Sequence, residues 1–140
     1  MSASFLIDPG QHAVFSRASG VFTYEDARGH MDRLLADARF RPDMRQVIDF
    51  GDITKVTLTG DQIRELANRK IFGPGSSRAF VAPDDVLYGL ARMFQAHRES
   101  NGETGIAIFR GMEEAVSWIG LPADLVDRAF AQLRKAVAEA

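Results

Sequence analysis

The sequence has no cysteine, which excludes disulfides, thiolate catalysis and cysteine-ligated zinc. No run approaches the roughly 18 consecutive apolar residues needed to read a helix as membrane-spanning. Histidine is scarce. His12, His30 and His97 are the three present, and none stands at the HxxxH or HExxH spacing that puts two imidazoles on one helical face. An excess of one charge is also missing: 17 Lys and Arg oppose 19 Asp and Glu, for a net charge of −2. Phosphate neutralisation by a basic face supplies most nucleic-acid affinity, so no nucleic-acid partner is expected. The N-terminal run Met1-Ser-Ala-Ser-Phe-Leu-Ile-Asp8 has no basic segment followed by a long apolar stretch. It does not read as a signal peptide, and the expected location is the cytoplasm.

The 140 residues suit one domain spanning 1–140, long enough to bury roughly two-thirds of the unfolded surface. Hydrophobic residues make up 46% and charged residues 26%, close to the globular average. From Glu25 to Arg45 acids and bases alternate, the pattern of a solvated helix face.

Residues 4–8 and 11–20 read as two strands, with Pro9-Gly10 between them suited to a hairpin turn. Thr23 is the expected N-cap of a first helix whose inward face carries Tyr24, Ala27, Met31, Leu34, Leu35 and Ala38. Residues 45–50 (RQVIDF) form a central strand followed by a loop. Thr59 caps a second helix, with Gln62 as its capping-box partner. Phe72-Gly-Pro-Gly-Ser-Ser77 is an irregular connector into a buried strand at 78–82. Asp84 or Asp85 caps a third helix running to about Arg98. Asn101-Gly102 turns into a last strand at 105–109. Helices follow at 112–119, stopped by Gly120, and at about 122–138, where Val126, Ala129, Phe130, Leu133 and Val137 are expected inside. The order ββαβαβαβαα predicts an α/β fold. Its sheet is mixed but mostly parallel, of about five strands, with an antiparallel hairpin at the start and helices packed on it.

Candidate chemistry is sparse. Asp49 and Asp52 lie near the end of a central strand, where α/β ligand sites form. They read mainly as a loop support and a turn residue, and a carboxylate enzyme built on them is the weakest of three functional readings. Gly73 to Arg78 leaves a helix and enters a strand, the reverse of a phosphate loop. Ser76 and Ser77 lack a G-x-S-x-G elbow. His97 lies in line with Val86, Leu90, Met93 and Phe94 and reads as a packed or interface histidine. On the third helix Val86, Leu87, Leu90, Ala91, Met93 and Phe94 span an apolar arc of about 160°, wide for a helix on one sheet face. Either the helix is simply well buried, or one edge contacts a second subunit or a ligand, with Tyr88 and Arg92 as anchors.

The run Val47-Ile-Asp-Phe-Gly-Asp-Ile-Thr-Lys-Val-Thr-Leu-Thr-Gly60, continued by Asp-Gln-Ile-Arg-Glu-Leu66, resembles the central strand–loop–helix of STAS domains. These are the sulfate-transporter and anti-sigma-antagonist modules with the SpoIIAA-like fold. Over nearly its whole length the chain is similar to a group of small, uncharacterised bacterial proteins described as STAS/SEC14-like or SpoIIAA-like. Residues 23–27, 41–50, 72–75 and 88–94 match its recurring segments. In the antagonists an Asp is followed by a serine that a partner kinase phosphorylates. Aligned on Gly60, those positions are Thr57 and Leu58 here, so the resemblance implies the fold without the switch serine. Thr59 keeps a hydroxyl that its capping role explains, while Thr54 and Thr57 remain candidate acceptors.

The leading expectation is a non-enzymatic interaction or regulatory module, a homodimer that also meets a regulatory protein partner. It needs no cofactor or metal, and its contacts are drawn from Thr57, Leu58, Thr59, Tyr88, Arg92 and Met93. The alternative, implied by the SEC14-like resemblance, is a binder of a lipid-like apolar molecule lined by Phe72, Phe80, Leu87 and Phe94.

Overall fold

A computed structural model describes residues 2–139, with side chains through Ala136. The expected burial of Val137 lies outside the described side chains. The chain runs β1 (Ala3–Asp8), β2 (Ala13–Phe22), α1 (Tyr24–Ala36), β3 (Arg45–Val56), α2 (Gly60–Ala67), β4 (Arg78–Val81), α3 (Asp85–Ser100), β5 (Ile106–Phe109), α4 (Met112–Ile119) and α5 (Ala123–Glu139). The strands form one sheet in the order β1-β2-β3-β4-β5. β1 and β2 are antiparallel, and every other pair is parallel.

Strands laid down in consecutive order, each joined by a helix of the same crossover hand, put those helices on one face of the sheet. α1, α2 and α3 do so, packing Ala27, Ile63, Leu66, Ala91 and Phe94 against Phe22, Phe80 and Ile106. α4 and α5 cover the opposite face with Ala115, Ile119, Val126 and Phe130 against Phe15, Val47 and Val81. The alternation is visible along β2, where Val14 joins the α1 side and Phe15 the α5 side, as the period of two requires.

Local caps act where the sequence places them. Thr23 and Thr59 each form a reciprocal capping box, with Asp26 and Gln62. Asp84, not Asp85, caps α3 by accepting from the Val86 and Leu87 amides. Gly120 ends α4 in the left-handed region at φ 76°.

Three expectations change. β3 does not stop at Phe50 but continues to Val56, pairing along the whole second half of β2 through two register shifts. Asp52 therefore sits in a strand rather than a turn. Leu35 is 49% exposed, because His30 takes the inward position on α1 with Ala27 and Leu34, and Ala38 is exposed in the turn beyond the end of α1. On α3 the inward stripe is Leu87, Ala91, Phe94 and Arg98, so His97 is only half-buried and the charged residue next to it points inward.

Candidate functional site

A cavity of about 100 Å³ lies between the sheet and the helices α1, α2 and α3. One part of its wall is aromatic. Phe22, Phe50, Phe80 and Phe94 follow one another with ring centroids 5.9, 6.0 and 5.8 Å apart. Phe72, Leu58 and Leu87 extend the apolar lining. The long β2–β3 pair supplies Phe22 and Phe50, since both strands run past the end of the short β4.

Another part of the wall is polar, and it is buried. Gln46 and Arg78 are register partners on β3 and β4, so their side chains emerge on the same face of the sheet. Arg78 Nε donates to Gln46 Oε1 at 2.9 Å. Arginine has donors only, which fixes the amide orientation: the Gln46 nitrogen is left to donate to Ser16 Oγ, at 3.0 Å. Ser16 is fully buried, and its other contact is His30 Nε2 at 3.0 Å. A hydroxyl has two acceptor lone pairs, so Ser16 Oγ shares a hydrogen bond with His30 Nε2 whose direction follows the imidazole tautomer. Burial, with the Arg33 and Arg78 charges adding to it, pushes the His30 pKa down to about 4.

On its other side Arg78 Nη1 reaches both oxygens of Glu103, at 3.3 and 3.2 Å. Glu103, in the loop before β5, also accepts from Arg98 Nε at 2.8 Å. Arg98 Nη1 donates to the Ala67 carbonyl at 2.9 Å, at the C-terminal end of α2, where a cation is favoured by the helix dipole. The Arg78 guanidinium lies over the Phe72 ring at 4.1 Å and within 5.1 Å of Phe80. Burial lowers its pKa to about 10 despite the Glu103 carboxylate, which leaves it charged at neutral pH.

Of the residues singled out from the sequence, Leu58, Phe72, Phe80, Leu87 and Phe94 line the cavity. Thr57 and Thr59 are exposed beside it, and the Thr59 hydroxyl is engaged by the Gln62 amide. Tyr88 stacks under Arg110 at 4.1 Å. Arg92 borders a separate open groove of about 370 Å³ between α3 and β5, with Gln95 and Glu99. Met93 is 39% exposed. Asp49 accepts from the Gly51 amide at 2.8 Å, and Asp52 pairs with Arg17 at 2.8 Å, so each has a structural partner. Ser76 is buried and donates to the Gly73 carbonyl at 2.8 Å, as a turn residue would.

Sequence reasoning missed Ser16, His30, Gln46, Arg78, Arg98 and Glu103, the buried polar side of the site. One signal was available. Arg78 opens β4 and Gln46 is the second residue of β3, each directly before apolar residues, and a polar residue near the head of a buried strand needs a partner.

No family model matches the chain, and comparison with curated proteins finds no match. Among solved structures the chain is similar to an uncharacterised protein of the DUF3478 family with a SpoIIAA-like fold from Shewanella loihica PV-4. The TM-score is 0.54 at 19% identity, over 84% of this chain and 94% of that one. The likeness bears on the fold, and the fold of this chain is SpoIIAA-like.

Proposed function

We propose that this protein is a non-enzymatic binding module that holds a small apolar molecule between its sheet and the helices α1–α3. The observation that carries the reading is the cavity itself, lined by Phe22, Phe50, Phe80, Phe94, Leu58 and Leu87. Close-packed interiors leave few voids larger than a water molecule, and this one, at about 100 Å³, is smaller than the roughly 150 Å³ apolar cavity that takes benzene, so it suits a small, slim apolar molecule. The SEC14-like resemblance supports the same reading. So does the position of Leu58: where the antagonists carry a phosphorylated serine, this chain presents an apolar side chain to the cavity. Protein purified from its own host and extracted with organic solvent is expected to release an apolar molecule near one per chain. A clean extract, with no stabilisation of the protein by small apolar compounds, overturns the reading.

A second reading keeps the homodimer. Val86 is 59% and Met93 39% exposed, seven residues apart and so on one side of α3, which supports an apolar contact at that edge. Sedimentation is expected to give a dimer that Met93→Asp dissociates. A strict monomer at high concentration removes this reading and leaves the first untouched.

A further inference from the structure

We propose that the cavity takes a small apolar monocarboxylate, with its carboxylate on Nη2 of Arg78 and its hydrocarbon part among Phe22, Phe50, Phe80 and Leu58. The inference rests on the small-molecule reading above and adds the charge and chemical class of the ligand.

The first argument is charge. Two buried guanidiniums, Arg78 and Arg98, share the single carboxylate of Glu103. His30 contributes no charge at neutral pH, because burial holds its pKa near 4. Arg17, which also borders the cavity, is neutralised by Asp52. One positive charge is therefore left over beside an apolar space, and buried charges are ordinarily paired.

The second argument is donors. Arg78 is 6% exposed. Its Nε is taken by Gln46 and its Nη1 by Glu103, while Nη2 makes no hydrogen bond among the described residues. Ser2 Oγ is the one fully enclosed side-chain polar atom without a partner among those residues, so Nη2 is not sealed in. The open space that Arg78 borders is the cavity. The Phe72 ring covers the face of the guanidinium, which leaves its in-plane N–H groups for an acceptor, the geometry a carboxylate oxygen prefers.

The third argument selects among anions. One free nitrogen and one excess charge match a monoanion with a single acceptor group. A phosphate dianion would bring more charge and more acceptors than the site can meet. The apolar walls and the volume of about 100 Å³ suit a short alkyl chain, and a ring is the upper limit of size.

Calorimetric titration of the full chain at pH 7 with hexanoate and benzoate, their neutral counterparts 1-hexanol and benzyl alcohol, and inorganic phosphate tests the assignment. The carboxylates are expected to bind at least tenfold more tightly than the alcohols. Arg78→Gln is expected to erase that preference while alcohol binding persists, and Leu58→Trp, which fills the cavity away from the polar network, is expected to abolish both. Should Arg78→Gln fail to fold, the ratio in the unaltered protein decides by itself. Alcohols binding as tightly as carboxylates overturn the carboxylate assignment and leave the apolar-ligand reading standing. Phosphate matching hexanoate overturns it in favour of a general anion site. No binding by any organic probe overturns both readings.

Discussion

Arg78 and Glu103 form an ion pair at 3.2 Å between side chains that are 8% and 2% exposed, joining strand β4 to the loop before β5. The same carboxylate holds Arg98 on α3, so one acid ties a strand, a helix and a loop together behind the cavity. Removing one member of a buried ionic cluster strands the others.

Glu103→Gln is accordingly expected to destabilise the protein by about 3–5 kcal/mol, because two buried guanidiniums lose the one carboxylate they pair with among the described residues. Urea unfolding followed by circular dichroism measures this. A loss below about 1 kcal/mol would mean that the pair is solvated and that the charge argument for the ligand is wrong.

His30 predicts a pH dependence. Its folded pKa is lowered from the usual 6.5 to about 4 by burial and by the Arg33 and Arg78 charges. The unfolded chain takes up this proton below pH 6.5 and the folded chain does not, so the unfolded state binds more protons in that window. Stability from neutral His30 is complete above pH 6.5 and declines as pH falls toward 4, by roughly 3 kcal/mol in all. Exposed aspartates held below their usual range by arginine, such as Asp32 by Arg69 and Asp37 by Arg39, enter only below about pH 5. Urea midpoints between pH 7 and 5 are expected to fall in the unaltered protein and to stay flatter in His30→Gln. Equal slopes in the two proteins would refute the assignment.

Gly105 predicts a packing effect. A Cβ there would stand 2.1 Å from the backbone oxygen of Ser76, and the neighbouring Gly105 carbonyl accepts from the Arg78 amide at 2.8 Å. Backbone cannot swing aside as a side chain can, so Gly105→Ala is expected to cost about 3 kcal/mol and to disturb the strand that carries Arg78. The control Gly89→Ala, where nothing lies within 4 Å on a helix, is expected to be neutral or stabilising by up to about 1 kcal/mol. A thermal melt of the two variants separates these outcomes.

The chain order of strands and helices, the caps at Thr23 and Thr59 and the stop at Gly120 were legible because each is settled by residues within about four positions of one another. The SpoIIAA-like fold was legible in another way, as what the resemblance of the run from Val47 to Leu66 to STAS domains implies. Phe72, Phe80, Leu87 and Phe94 could be proposed as lining, but a packed core would use the same residue types. Only the tertiary structure decided that a space remains among them, since a void depends on how three helices meet one sheet. It also decided the polar wall. Gln46 and Arg78 are 32 residues apart and Arg78 and Glu103 are 25 apart, so their meeting depends on sheet register and loop path. In the sequence, Arg98 and Glu103 look like any solvated charges. The fold makes them the buried frame of a site because β4, α3 and the loop before β5 converge and pair their charges with one another away from the surface.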